Sequence, residues 1–375
     1  MTVFLCGSMW FDPVPIRSIA MGSSRIHKDR KYKLFKPDSR GSSPAMTTEG
    51  ELRIDPVMEH GLFTVLGAGG TIGQALTEHL RVQRHTVQAV GRSDLPAFLA
   101  SGRPAGHVID CIGLTGDFRS RPLDTTEAHV SVTARCLGGL NCDSFLFLSS
   151  TRVYANGVAT DEDAALSCRP GDPSDLYNLS KLTGEALCLN DPRPTTRVVR
   201  LSNVFASDPG PDTFLGQVLA EGRATGQVLL RQAAESEKDY VSLDDVVRLL
   251  PAIARSGRHR IYNLAAGTNI SHGQIGDALR KRFGWDIAFA PGAPDVRFPR
   301  MEITRLNAEF PPPLTNLLEH LATLPLGQEA PCSRSTRQAV ASFCNEPMAR
   351  ARNTHSTRRM HLKPSQPPGC GAAGT

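Results

Sequence analysis

A chain of 375 residues that is 40% hydrophobic and 21% charged can bury a sizeable core, in one large domain or two ordinary ones. Its net charge of +5 does not put a basic nucleic-acid surface on the folded body, because residues 325–375 carry seven Lys or Arg against two Glu and hold the whole excess. The nine cysteines form no Cys-x-x-Cys pair, which argues for reduced, mostly buried thiols over a disulfide framework. No apolar run approaches the ~18 residues of a membrane helix. The first residues are broken by Asp12, Pro13 and Pro15 and lack the charged-then-apolar order of a signal peptide. The expectation is a cytoplasmic protein with neither a membrane nor a nucleic-acid partner.

Residues 1–58 show no sustained period, and Ile16–Arg40 holds eight Lys or Arg against two Asp, so a disordered extension is expected there. Met46 and Met58 stand just before the folded body as candidate starts. The body opens at Leu62–Leu66, a short apolar run expected to be a strand. Gly67-Ala68-Gly69-Gly70-Thr71-Ile72-Gly73 follows directly, then a helical stretch in which Leu76 and Leu80 share a face, then a second strand, Thr86–Val90. This strand, glycine turn, helix and strand form the context in which such a turn holds a dinucleotide. Gly67 permits the tight turn, Gly70 lets backbone approach a pyrophosphate, and Gly73 lets the helix pack closely. Thr71 and Ile72 begin the helix whose N-terminus faces the phosphate charge. An acidic residue at the end of the second strand would bind a ribose 2′-hydroxyl. Gly91-Arg92 stands there instead, so NADP(H) is favoured, with NAD possible.

A third strand, His107–Ile112, ends in Gly113, where backbone can come close to a ligand, and a helix is expected over Glu127–Leu140. The run Phe145–Leu148 reads as a buried strand that stops at Ser149-Ser150. A polar loop then leads to a helix, extending through Leu187, that carries Tyr177 and Lys181 four residues apart on one face. An ammonium beside a phenol favours the phenolate, and a hydroxyl from Ser150 could bond the same substrate oxygen. The trio suits moving a proton while a hydride leaves or joins the adjacent carbon. Thr196–Leu201 is the next strand, ending at Ser202-Asn203. Alternating strands and helices predict an α/β, Rossmann-like doubly wound parallel sheet over 59–205.

From 206 to 324 the expected elements are helices at Phe214–Glu221, Leu243–Arg255, His272–Phe283 and Asn316–Leu324, and strands at Gln227–Arg231 and Ile261–Leu264. They suggest a smaller C-terminal substrate-binding part laid over the open edge of the sheet, with later segments returning to the first domain. Beyond it, residues 325–375 are rich in Arg, Ser, Pro and Gly and are expected to be a disordered tail. No metal is expected: the eleven His show no metal spacing, and Asp244-Asp245 at a helix start suit capping.

These motifs together resemble the extended short-chain dehydrogenase/reductase superfamily, and within it the NAD-dependent epimerase/dehydratase family acting on nucleotide sugars. The resemblance runs from about residue 62 to 324 and rests on Gly67-x-x-Gly70-x-x-Gly73, the strand-end serine and Tyr177-x-x-x-Lys181. Further support comes from Arg200-Leu201-Ser202-Asn203-Val204-Phe205, Lys238-Asp239-Tyr240-Val241 and Tyr262-Asn263-Leu264. It implies that Tyr177 is the acid/base, that Lys181 lowers its pKa and holds the nicotinamide ribose, and that Ser150 polarises the substrate oxygen. It also implies that Asn203 faces the sugar nucleotide and that Arg297 contacts its diphosphate. Many relatives dimerise through the helices corresponding to Glu127–Leu140 and Tyr177–Leu187, so a homodimer is possible.

The departures narrow the chemistry. Where the family's dehydratases carry Asp-Glu after the serine, this chain has Thr151-Arg152, and Arg152 also replaces the cysteine of the 3,5-epimerases. What remains is 4-epimerisation or 4-keto reduction, and Arg92 leans towards reduction because NADP(H) more often serves as a diffusing reductant. Only about sixteen residues separate the second strand from the third, too few for the strand the family usually fits there, and His129 takes the place of an Asn. The competing reading is a catalytically silent NADP(H)-binding regulatory or assembly module of the same fold. The presence of Ser150, Tyr177 and Lys181 together favours the enzyme.

Overall fold

Each short apolar run at the start of the body becomes a parallel strand because it is covered on both faces. The first, β1 (Leu62–Leu66), turns Phe63 and Val65 towards one layer of helices and Leu66 towards the other. The computed structural model describes residues 60–114, 118–207 and 213–326. The expected extension 1–58 lies outside the described residues, as does the expected tail apart from Pro325 and Leu326. After β1 come α1 (Thr71–Val82), β2 (Thr86–Val90), α2 (Leu95–Ala100), β3 (Gly106–Asp110), α3 (Pro122–Thr126), α4 (Val132–Gly139), β4 (Cys142–Ser150), α5 (Pro173–Leu189) and β5 (Thr196–Leu201). The sheet is completed by β9 (Ile261–Leu264) and runs in the order β2-β1-β3-β4-β5-β9, with every pair parallel. The expected Rossmann-like doubly wound architecture is therefore what the chain forms. Strand order reverses between β1 and β3, the place where such sheets open a crevice at their carboxyl ends.

Two cores sandwich the sheet. Leu76 and Leu80 of α1 join Val246, Leu250 and Ile253 against Phe63, Ile109, Leu146 and Val199 on one face. Phe98, Cys136, Leu140 and Cys188 meet Leu66, Val108, Phe145 and Val198 on the other. Alternating side chains of β4 supply both faces, which is why its sequence is apolar without interruption. α5 starts where Asp172 accepts a hydrogen bond from the Ser174 amide at 2.7 Å and Pro173 fits the first turn.

Three local expectations shift. β3 ends at Asp110, two residues early, because the Asp110 carboxylate accepts the Ile112 amide at 3.0 Å and takes it out of the ladder. The helix expected from Glu127 starts at Pro122 and contains a π turn over Glu127–Ser131, which leaves His129 buried and bonded across to α5. Between β2 and β3 there is only the short α2, so β2 is the sheet edge and the usual extra strand is missing, as the spacing indicated.

The remaining elements are β6 (Asn203–Phe205), α6 (Phe214–Thr225), β7 (Gln227–Leu230), β8 (Glu237–Ser242), α7 (Leu243–Ser256), β9 (Ile261–Leu264), β10 (Asn269–Ser271), α8 (His272–Phe283), β11 (Asp286–Phe289), α9 (Thr304–Asn307) and α10 (Leu317–Thr323). α7 and β9 rejoin the main sheet. α9 packs beside β9 through Leu306, and the others form a second core around Phe205, Leu219, Ile275, Leu279 and Leu321, with β8 flanked by β6 and β10, and β7 paired with β11. This smaller part does not cover the open edge of the sheet, because β9 occupies that edge beside β5. It meets the sheet at the carboxyl ends instead, through β6, which leaves β5 after Leu201 and pairs with β8.

Candidate active site

The carboxyl ends of β1, β3, β4 and β5 and the start of the smaller part enclose a cavity of about 420 Å³. On the β1 side, Gly67 has φ +72°, a left-handed conformation that suits glycine. A Cβ on Gly73 would lie 2.3 Å from the Gly67 carbonyl oxygen, so helix and turn approach closely only because that carbon is absent. Gly69 and Gly70 face open space or ordinary contacts. α1 has no side-chain cap and no acidic residue in its first turn, so its leading amides are left for an anion. This cradle fits a dinucleotide pyrophosphate. Thr71, Ile72 and Gly113 line the cavity beside it. Arg92 is exposed in the turn after β2, and its side chain has no partner among the described residues.

Ser150, Tyr177 and Lys181 come together on the opposite wall. Ser150 ends β4, and its hydroxyl accepts the Arg152 amide at 3.2 Å; the residue lines the same cavity as Tyr177. Tyr177 is buried between Phe118 and His129, with ring centroids 5.0 and 5.2 Å away. Burial pushes its phenol pKa up, opposed by the nearby Ser150 hydroxyl and the Arg152 charge. The expected cause was Lys181, but its ammonium donates to the Leu148 carbonyl at 2.8 Å and lies 5.9 Å from the Tyr177 ring centroid. Desolvation therefore outweighs every nearby cation, and Arg152 is the cation that favours the phenolate.

Burial lowers the Lys181 pKa to about 8, opposed by the negative charge of Asp110 and then Glu185. Asp110 is fully buried at the end of β3, and its second carboxylate oxygen has no hydrogen-bond partner among the described residues. Burial raises its pKa, opposed by the Ile112 amide and then Lys181. His129 accepts the Leu114 amide on Nε2 at 3.3 Å, which leaves Nδ1–H to donate to Ser180 at 2.9 Å. Burial, aided by the Lys181 charge, drives its pKa down to about 2, so the ring is neutral.

On the substrate side Asn203 lines the cavity and donates to the Asp239 carbonyl at 2.9 Å. Arg297 does not line it: the guanidinium is exposed and pairs with Asp295 at 3.0 Å. Lys238 does line it, half-buried and without a hydrogen-bonding partner among the described residues. Lys238 and Arg152 had appeared in the sequence only as a motif member and a departure, and Asp110 had carried no role. A lone acid three residues before the strand-end Gly113 was the one signal for Asp110.

The family model for the NAD dependent epimerase/dehydratase family matches residues 63–265, more than half of the chain. The chain belongs to that family. It is accordingly an NAD(P)-dependent enzyme of the extended short-chain dehydrogenase/reductase type. No curated protein sequence matches the chain significantly. Solved structures of similar fold include the UDP-glucuronic acid 4-epimerase of Bacillus cereus in complex with UDP-glucuronic acid and NAD. It is 19% identical, with a TM-score of 0.59, covering 70% of this chain and 97% of its own. The UDP-glucose 4-epimerase of Thermotoga maritima with UDP-glucose is 18% identical, with a TM-score of 0.58 and coverages of 70% and 96%. RMD of Pseudomonas aeruginosa complexed with NADPH is also 18% identical, with a TM-score of 0.58 and coverages of 70% and 98%. At these identities the likeness is one of fold.

Proposed function

We propose that this family member acts on a nucleotide sugar as a 4-epimerase or 4-keto reductase, with Ser150, Tyr177 and Lys181 as its working trio. The observation that carries the reading is that Ser150, Tyr177 and Lys181 line one cavity together with Thr71 and Ile72 of the glycine cradle and with Asn203. A bound nicotinamide would supply or accept the hydride. The chain supplies the rest. Because burial holds the Tyr177 phenol protonated at neutral pH, it is ready to give its proton to a ketone oxygen that Ser150 also binds. In the opposite direction the phenolate takes the proton of a hydroxyl. Lys181 is fixed by the Leu148 carbonyl beneath the site, where it can hold a ribose hydroxyl.

Thr151 and Arg152 put no carboxylate next to Ser150, which supports the two redox reactions over elimination of water. Gly67, Gly70, Thr71, Ile72, Gly73 and Gly113 are the proposed cofactor contacts, with Arg92 for a 2′-phosphate. Solved neighbours of this fold carry either NAD or NADPH, and the free Arg92 favours the latter. For the sugar-nucleotide diphosphate, Lys238 is better placed than Arg297, which would first have to give up Asp295. A homodimer is supported by the outward face of α4 and α5, where Ala134, Leu137, Ala186 and Leu187 line a shallow apolar groove. No helix of the described residues is long and apolar enough to cross a membrane.

The test is purified protein with UDP-, GDP- and dTDP-sugars, following NADPH absorbance and the sugar product. A reductase consumes cofactor in step with product, whereas an epimerase makes a new sugar without net consumption. If no sugar reacts, and Tyr177→Phe leaves the cellular role unchanged, the silent module is the correct reading.

A further inference from the structure

The cavity holds three cations, and two have evident work. Lys181 is engaged by the Leu148 carbonyl and balanced by Asp110. Lys238 lies towards the smaller part, with its ammonium 5.8 Å from the Phe298 ring centroid, where the diphosphate is proposed to sit. The third, Arg152, has none. Among the described residues its side chain makes no hydrogen bond, and its Nε is buried without a partner. Only aromatic faces receive it, Phe118 at 5.5 Å and Tyr177 at 5.8 Å from the guanidinium carbon.

The acids around it are already engaged. Asp175 accepts the Arg169 amide at 2.7 Å and the side-chain amides of Asn156 and Asn178 at 3.0 and 2.7 Å. Asp172 caps α5 through the Ser174 amide. Asp239, also in the cavity wall, is held by the Ala266 and Thr268 amides at 2.9 and 3.0 Å. Arg119 adds a second positive charge on the same side. A guanidinium whose Nε is buried and which has no ion pair among the described residues, only the more distant charges of Asp175 and Asp172, is partly desolvated at a cost that an entering anion offsets.

Position identifies the anion. Arg152 is two residues beyond Ser150, which lines the cavity with Tyr177 where the reaction is proposed to occur. A guanidinium stacked over the same Tyr177 ring can reach a group carried on the neighbouring part of the sugar ring. We infer that Arg152 binds a carboxylate on the pyranose and that the substrate is a nucleotide-linked uronic acid rather than a neutral hexose. The planar fork of arginine suits a two-point grip on a carboxylate, which also fixes the sugar against Tyr177.

This inference rests on the nucleotide-sugar reading above, and its test separates the two. UDP, GDP and dTDP are first titrated against the protein with NADPH or NAD present. The nucleotide that binds best is then supplied as its glucuronate and galacturonate and as its glucose and galactose forms. The wild type is expected to prefer the uronates by roughly 10- to 100-fold in kcat/KM. Arg152→Met, which keeps the apolar stem against Phe118, should bring that ratio close to one. Arg152→Lys should restore part of it, and binding of the nucleoside diphosphate alone should match the wild type in both variants. Equal or better turnover of neutral hexoses by the wild type overturns the inference and leaves the nucleotide-sugar reading standing. Loss of nucleoside diphosphate affinity in Arg152→Met also overturns it, because the guanidinium would then serve the diphosphate. If none of the three nucleotides binds, both readings fall.

Discussion

Gly73→Ala tests the glycine cradle directly. The added Cβ would sit 2.3 Å from the Gly67 carbonyl oxygen and 2.9 Å from the Ala68 Cα, both backbone atoms of a turn anchored to β2 by the Gly67 amide. Side-chain carbons essentially never come within 3.0 Å of such atoms, so α1 must lift from the turn by most of an ångström. Overpacking against rigid backbone costs about 3 kcal/mol, and replacing a helical glycine by alanine returns about 1 kcal/mol. The net loss of about 2 kcal/mol should lower Tm by roughly 4–8 °C in a body of this size. Dinucleotide affinity, read by fluorescence titration with NADPH, should fall as well, because the leading amides of α1 move off the pyrophosphate. Gly69→Ala is the control, since nothing lies within 4 Å of its Cβ. It should keep the wild-type Tm, so any loss of dinucleotide affinity there reports crowding of the ligand alone. The reasoning is refuted if Gly73→Ala melts and binds like the wild type, or if Gly69→Ala loses as much Tm.

Four further outcomes are expected. Glu185→Ala strands Arg200, whose guanidinium otherwise pairs with Glu185 at 2.7 Å with both side chains buried, and should cost about 3–5 kcal/mol in urea unfolding. Tyr177→Phe should lower turnover by at least about 100-fold while leaving Tm and dinucleotide binding close to wild type; a smaller loss would move the acid/base role elsewhere. Arg152→Met removes the charge that favours the phenolate, so any Tyr177-dependent basic limb in the pH–rate profile should move to higher pH, and a downward move would contradict the assignment. The fourth concerns acid. The folded-state pKa values of His129 and His272 are lowered by burial to about 2 and about 4, so below pH 6.5 the unfolded chain binds more protons. Stability should be full above pH 6.5 and fall below it by about 1.4 kcal/mol per pH unit for each histidine; a urea midpoint equal at pH 7 and pH 5 would exclude this.

The sequence by itself determined the parts whose causes are local. The β1 turn announces itself because Gly67 must take a positive φ and Gly73 must lack a Cβ, requirements written in single residues a few positions apart. The pairing of Tyr177 with Lys181 follows from helical periodicity, and the parallel sheet from uninterrupted apolar runs that only double burial explains. What the tertiary structure decided is which charges meet across distant segments. The residue expected to tune Tyr177 was Lys181, yet Lys181 is taken up by the Leu148 carbonyl and Asp110, while Arg152 is brought over the phenol ring. Arg297, expected at the diphosphate, is outside the cavity and paired with a neighbour two residues away, while Lys238 lines it. That later segments return to the sheet was expected, but that β9 is the one to pair with β5 was hidden, because a four-residue strand carries no mark of the strand it will pair with. Electrostatic balance and strand partnership depend on distance through space, and distance through space exists only once the chain has folded.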